Sequence, residues 1–294
     1  MIKLIASDMD GTLLNDHIDV SLSNAQAIKL AQAKGLHFLI ATGRDYPLAT
    51  HPLKDHNIEC PIITLNGAQL FDKEGKNLYN KGLEKNVVKK IRSIISQYSD
   101  VHEELMTSDG IYSSNREERL KTVASMLADL NPDLTFEDAM ESATAHVEEM
   151  NIKFVDSLDS VVEDNHIVIL KVSAHSEEGP AILKPLKEQL ANEVPKLAIT
   201  ASSKKNIEIN HESAQKGIAI AQYAKKLGIK AEEVMTIGDN INDLSMLTWA
   251  KYGTAVANAV PEAKEAASYS TSSNSQNGVA EAISRVLNGK IYKD

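Results

Sequence analysis

The chain has 294 residues, with 31 Lys and Arg against 41 Asp and Glu and a formal net charge of -10, a balance that disfavours a nucleic-acid or anionic-membrane surface built on clustered basic side chains. Aromatic residues at 4% are too sparse for base-stacking platforms, and the single cysteine, Cys60, rules out an intrachain disulfide and a cysteine-rich zinc site. The 43% hydrophobic fraction supports a sizeable core, and 294 residues exceed the usual single domain, so two domains are expected.

The opening stretch, Lys3-Leu4-Ile5-Ala6-Ser7-Asp8-Met9-Asp10-Gly11-Thr12, reads as a short buried strand that stops at two carboxylates and a turn-forming glycine. Side chains two apart in an extended segment share a face, so Asp8 and Asp10 are expected to converge beyond the strand end, where open α/β sheets place their ligands. Two carboxylates that close need a cation, a shared proton or a reaction that uses both. An Asp-Gly hairpin turn is the plainer alternative, but it leaves the apolar run and the second Asp unexplained.

Next, Ser21 to Gly35 carries apolar residues at helical spacing, with Ser21 as a cap and Gly35 as a stop. Leu36 to Ala41 is a second buried strand and ends in Thr42-Gly43-Arg44; a β-α-β order implies a parallel pair, with Asp8 and Thr42 at one sheet edge. A helix around Tyr46 to His56 leads to a strand at Pro61 to Thr64 and a polar turn at Asn66-Gly67-Ala68. From Leu83 the texture changes to an amphipathic helix running to Ser99, short strands around Ser108-Asp109-Gly110, a helix from Arg116 to Leu130 and a polar stretch through Thr144. A strand at Ile167 to Ser173, a helix at Pro180 to Leu190 and strands at Leu197 to Thr200 and Asn206 to Ile209 follow. This block reads as an α+β insertion over residues 84–209.

From Lys216 the βα rhythm returns: a helix to Leu227, a strand from Glu233 to Ile237 that runs into Gly238-Asp239-Asn240-Ile241-Asn242-Asp243, a helix to Ala250, a strand from Gly253 to Ala257, and helices at Pro261 to Ala267 and Gly278 to Leu287. Residues 1–83 and 210–294 are therefore expected to form one core, a Rossmann-like parallel sheet flanked by helices, with the α+β insert as a second domain. Strand ends pool Asp8, Asp10, Asp239 and Asp243 with Thr42, Asn66, Asn242 and Lys216. Oxygen-only ligands of this kind suit Mg²⁺ shared with a substrate phosphate, whereas zinc prefers His or Cys. Helix N-termini and a lysine supply positive donors to a phosphate without making the whole chain basic.

Asp8-Met9-Asp10-Gly11-Thr12, Thr42, Lys216 and the Gly238 to Asp243 segment resemble, in order, the four signature segments of the haloacid dehalogenase superfamily. Ala41-Thr42-Gly43-Arg44, Asn66-Gly67-Ala68, Gln215-Lys216-Gly217 and Asn277-Gly278-Val279-Ala280 resemble its Cof-type phosphatases, which carry a large cap after the third core strand. The resemblance implies Asp8 as a nucleophile forming an aspartyl-phosphate, and Asp10 as the acid that protonates the leaving alcohol and then the base that activates water. Such an acid has to hold its proton, which calls for a pKa above the ordinary ~3.9, and the nearby Asp8 pushes that way. It further implies Mg²⁺ held by Asp8, the Asp10 carbonyl and Asp239, with Asp243 orienting the metal's surroundings, and phosphoryl oxygens bound by the Met9 and Gly43 N–H groups, Thr42, Asn242 and Lys216.

Asp243 equally suits a helix start, and Lys216 alone would be an ordinary solvated lysine. Arg44 pairs either with a core carboxylate or with substrate, and the same question stands for Asn66.

Within the superfamily, Asp10 separates phosphatases from dehalogenases, which lack it, and the short Leu14 to Val20 connection has no room for a helical cap. A large cap that closes over the site favours small phosphorylated metabolites, sugar phosphates first, pyridoxal phosphate and flavin mononucleotide behind them. A catalytically idle phosphometabolite binder is the alternative of another class, and retention of both Asp8 and Asp10 argues against it. No run approaches the ~20 apolar residues of a membrane span and no apolar segment follows a basic start, so a cytoplasmic setting is expected. Nothing in the sequence indicates an oligomeric state.

Overall fold

The structure, a computed structural model, describes residues 1–130, 135–149 and 152–290. In chain order the strands are β1 (Leu4–Ser7), β2 (His37–Ala41), β3 (Ile62–Thr64), β4 (Gln69–Phe71) and β5 (Asn77–Asn80), then β6 (His102–Thr107), β7 (Gly110–Ser113), β8 (Lys153–Phe154), β9 (Ile169–His175), β10 (Leu197–Thr200) and β11 (Asn206–His211), and finally β12 (Val234–Gly238), β13 (Tyr252–Val256) and β14 (Tyr269–Thr271). The chain divides into two compact units, Met1–Tyr79 with Ser213–Asp294, and Asn80–Glu212.

The first unit is built on one sheet of order β14-β13-β12-β1-β2-β3-β4-β5. β1 pairs in parallel with both β2 and β12, in registers that set Leu4 beside His37 and beside Val234. Chain order runs outward in both directions from β1, so the switch point of the sheet, where such folds bind ligands, lies at its C-terminal end. The strands are apolar on both faces because both are covered. Ile5, Phe38, Ile40, Met235 and Ile237 pack with Ala25 and Ile28 of the helix Leu22–Ala33 and with Val279 and Ile283 of the helix Gly278–Leu287. Leu4, Ala6, Leu39, Ala41 and Val234 pack on the other face with Ala219, Ile220 and Ala224 of the helix Lys216–Lys226. The Ser21 cap is present: its hydroxyl accepts from the Asn24 N–H at 3.1 Å.

The second unit carries a sheet of order β10-β11-β9-β6-β7-β8, antiparallel except for the β7–β8 pair. Leu105, Tyr112, Val172, Ala174, Ile207 and Ile209 turn one face toward the helices Lys85–Ile95, Leu158–Glu163 and Pro180–Glu193. Strand alternation sends Glu104, Lys171 and Glu208 to the opposite face, where Lys171 meets Glu208 at 2.6 Å and Arg119 meets Glu104 at 2.8 Å.

Several elements differ from expectation. The polar stretch through Thr144 is in part the helix Phe136–Glu149, whose Ala139, Ala143 and Val147 pack on Val123, Ala124 and Leu127; residues 131–134 of that stretch lie outside the described residues. β4, β5, β8 and β14 and the helix Leu158–Glu163 have no counterpart in the sequence reading, because two to six residues hold too few turns or alternations to show a period. Among the described residues no helix is long and apolar enough to cross a membrane.

Candidate active site

β1 stops at Ser7, and Asp8 follows with its backbone still extended and its amide bonded to the Ile237 carbonyl of β12 at 2.9 Å. The chain then makes one wide turn, closed by the Leu14 N–H on the Met9 carbonyl at 2.9 Å. Gly11 has φ +71° in that turn, and a Cβ there would fall 2.5 Å from Asp239 Oδ2, so both the backbone angle and the space require glycine. The Asn258 side chain donates to the Gly11 carbonyl at 2.7 Å and fixes the turn from the loop after β13.

Lys216 is fully buried at the first position of its helix. Its neighbour Gly217 lets that helix approach the helix Leu244–Trp249 so closely that a Cβ would meet the Ser245 carbonyl at 2.1 Å. Lys216 Nζ thereby reaches Asp8 Oδ1 and Asp243 Oδ1, each at 2.6 Å. Asp243 Oδ2 accepts from the backbone N–H groups of Asp239 and Asn240, at 2.9 and 3.0 Å. Thr12 Oγ1 donates to Asp239 Oδ1 at 3.1 Å. Ligand oxygens of Asp8, Asp239 and Asp243 all lie within 4.8 Å of one another.

This crowding shows in the acidities. Burial, and then the charge of Asp243, hold the Asp8 carboxyl well above the usual carboxylate range, against the pull of Lys216. Burial and Asp243 likewise push Asp239 up to about 7, and its carboxyl is close enough to that of Asp8 to share a hydrogen bond. Burial opposes the charge on Lys216, but Asp243 and Asp8 outweigh it and raise its pKa. One ammonium faces three carboxylates, so a further positive charge is needed before all three ionise. The donor set, carboxylate oxygens without His or Cys, fits a hard divalent cation.

Asp10 does not join this cluster. It lies in the turn rather than on β1, where the two-residue strand period no longer applies; its charge still adds to the pressure on Asp8, but its carboxylate is gripped by Arg44. Arg44 Nε donates to Asp10 Oδ2 at 2.9 Å and Nη2 to Oδ1 at 2.5 Å, while Nη1 donates to the Leu48 carbonyl at 3.2 Å. Burial works against the Arg44 charge, and Asp10 more than restores it. Thr42 is buried at the end of β2, and its Oγ1 accepts from the Arg44 N–H at 3.1 Å, with Gly43 between them. Asn242 Nδ2 donates to Asn66 Oδ1 at 3.3 Å, which joins the β3 and β12 loops. The structure thus brings Asp8, Lys216, Asp239 and Asp243 together, with Met9 beside Asp8 in the chain. Of the two options the sequence leaves for Arg44, the structure shows pairing with a core carboxylate, and Thr12 is the polar partner that sequence reasoning left out. Thr12 sits inside the opening motif, but only side-chain direction reveals its bond to Asp239.

The sheet's switch point at β1 thus carries a buried carboxylate, a lysine from the helix Lys216–Lys226 and further carboxylates from the loop after β12, the class of site in which an α/β hydrolase holds an anionic substrate with a cation. A family model for haloacid dehalogenase-like hydrolases matches residues 5–283, and the chain belongs to that family, in its Cof-type branch of phosphoric monoester hydrolases. It is similar to the 5-amino-6-(5-phospho-D-ribitylamino)uracil phosphatase YwtE of Bacillus subtilis, with 33% identity over 98% of this chain and 99% of that protein. Phosphatase YwpJ of the same organism is 29% identical over 97% of this chain and 100% of its own length. Among solved structures, a haloacid dehalogenase-like hydrolase from B. subtilis superposes with a TM-score of 0.86 at 28% identity, covering 97% of this chain and 100% of that one. The subclass IIB sugar phosphatase BT4131 does so with 0.75 at 25% identity, over 98% and 100% of the two chains.

Proposed function

We propose that this protein hydrolyses phosphate monoesters borne on polyhydroxylated carbon chains, sugar and sugar-alcohol phosphates, by way of an aspartyl-phosphate on Asp8. The observation that carries the reading is the buried Asp8 carboxylate at the sheet's switch point, tied at one oxygen to the equally buried Lys216. Asp8 attacks phosphorus, and Asp10 gives its proton to the leaving oxygen and later takes one from the attacking water. The Met9 and Gly43 N–H groups, Thr42, Asn242 and Lys216 bind the phosphoryl oxygens, whose negative charge spreads in the transition state. Mg²⁺ is the cation expected on Asp8, the Asp10 carbonyl and Asp239, where it would neutralise charge on the phosphoryl group and on the carboxylates. Asp243, its two oxygens already engaged by Lys216 and by backbone N–H groups, holds Lys216 and the Asp239 loop in place.

The substrate class rests on two relatives: the printed substrate of YwtE carries its phosphate on a ribityl chain, and BT4131 is named a sugar phosphatase. A reducing cytoplasm suits the single, buried Cys60.

The test is turnover. Wild type is expected to hydrolyse p-nitrophenyl phosphate with Mg²⁺ and to stop when the ion is chelated. Asp8→Asn is expected to be inert, and Asp10→Asn to lose a factor within the ~10²–10⁴ of general acid–base groups. A wild type as inert as Asp8→Asn, both binding a phosphorylated metabolite, would establish a binding protein instead. A panel of phosphorylated metabolites then ranks the substrates, with a ribityl phosphate and hexose phosphates expected to lead.

A further inference from the structure

The grip of Arg44 on Asp10 uses two parallel hydrogen bonds, at 2.9 and 2.5 Å. A two-point grip fixes both the position and the rotation of a carboxylate, which a single bond would leave free to turn. The guanidinium is itself immobilised by its bond to the Leu48 carbonyl, and its backbone is held at the Thr42 hydroxyl. Its side chain is 18% exposed, whereas the Asp10 side chain is 57% exposed. A half-buried, anchored cation therefore holds an otherwise open carboxylate.

In-line displacement by Asp8 sends the leaving oxygen to the far side of phosphorus. The acid that serves it has to stand outside the carboxylate cluster, and Asp10 does: the converging oxygens are those of Asp8, Asp239 and Asp243. We propose that Arg44 is the positioning residue for Asp10, holding its carboxyl group on the leaving-group side of the site. This inference rests on the reading of Asp10 as acid and base.

In the first step the bond from Asp8 to phosphorus forms, the bond from phosphorus to the leaving oxygen breaks, and the Asp10 proton goes to that oxygen. With its proton on one oxygen Asp10 still offers the other to Arg44, and the carboxylate left behind accepts at both. In the second step Asp10 accepts a proton from water as its oxygen bonds to phosphorus and the bond to Asp8 breaks.

The experiment compares kcat/KM for glycerol 2-phosphate, whose alkoxide needs a proton to leave, with kcat/KM for p-nitrophenyl phosphate, whose phenolate leaves without one. This parameter ends at departure of the leaving group, so hydrolysis of the intermediate does not enter it. Arg44→Met is expected to lose at least about 10-fold more on the alkyl ester than on the aryl ester, within the range of general acid catalysis. Arg44→Lys is expected to recover part of that loss, and it carries the same readout if Arg44→Met does not fold. In an Asp10→Asn background Arg44→Met is expected to add no further loss.

Equal losses on the two esters, a shared rise in KM, or a loss that persists in the Asp10→Asn background would overturn the proposal, because each marks a phosphate contact or general damage. Wild type inert on both esters, or Asp10→Asn without discrimination between them, would overturn the reading of Asp10 and this inference with it. A discriminating Asp10→Asn beside an indiscriminate Arg44→Met would overturn this inference alone.

Discussion

Lys216 is the residue on which the carboxylate cluster depends, because it is a fully buried cation bonded to two buried acids. Removing one member of such a set leaves uncompensated charge and costs about 3–5 kcal/mol. Lys216→Met is therefore expected to abolish turnover and to lower stability by that order, read from urea unfolding at pH 8 in chelator, with less loss at pH 5, where Asp8 and Asp239 take up protons. Asp8, Asp239, Asp243 and Lys216 were legible in the sequence because each stands at the end of an apolar strand or the start of a helix within a recognisable motif. The Thr12 bond was not, and for Arg44 the sequence left pairing with a core carboxylate as one of two options. Both contacts depend on where side chains point after a turn that Gly11 makes possible, and spacing along a strand carries no information once the strand has ended.

At the scale of elements, the long parallel strands declared themselves by apolar runs, whereas the helix Phe136–Glu149 did not. Its buried stripe is Ala139, Ala143 and Val147, too small in bulk to stand out among the acidic residues around it. β9 offers the test at this scale. Its His175 is held down to about 4, first by burial and then by Arg119 and His102, with Glu104 and Glu208 pulling the other way. A base with a lowered pKa contributes stability that is complete above its unfolded value of ~6.5 and is lost as pH falls through that value toward 4. The loss is at most about 3 kcal/mol, reduced by the solvent contact the residue keeps. Glu104, kept at about 2 against burial by Arg119 and His102, adds a second loss below ~4.5. Amide exchange of Ile169–His175 is expected to quicken from pH 7 to pH 5 after correction for intrinsic rates, and His175→Gln is expected to flatten that response.

The whole molecule couples two units of opposite acid response. In the first, Asp8 is raised and Asp239 is pushed up to about 7, so the stability these two carboxyls contribute without metal is complete below the unfolded value of ~3.9 and is lost as pH rises toward and through 7. A divalent cation binding the ionised cluster reverses this, by an amount that grows with its concentration over its dissociation constant. Mg²⁺ is expected to raise the melting temperature more at pH 8 than at pH 5, where protons compete for the same oxygens. Equal shifts at the two pH values would show the ion binding elsewhere. With chelator present, amide exchange in Lys216–Lys226 is expected to quicken toward alkaline pH after the same correction, opposite to β9.

The central place of β1, flanked by β2 on one side and by β12 on the other, also sets a timetable for synthesis. Asp8 is made before Lys216, Asp239 and Asp243, which lie beyond the inserted unit that ends at Glu212. A nascent chain that has delivered everything up to that point holds β1 with one edge unpaired and the Asp8 carboxylate without Lys216. Such an edge invites chaperones or wrong partners. The charge cluster at the C-terminal end of β1 is therefore completed only when the segment after Glu212 brings β12 alongside that strand.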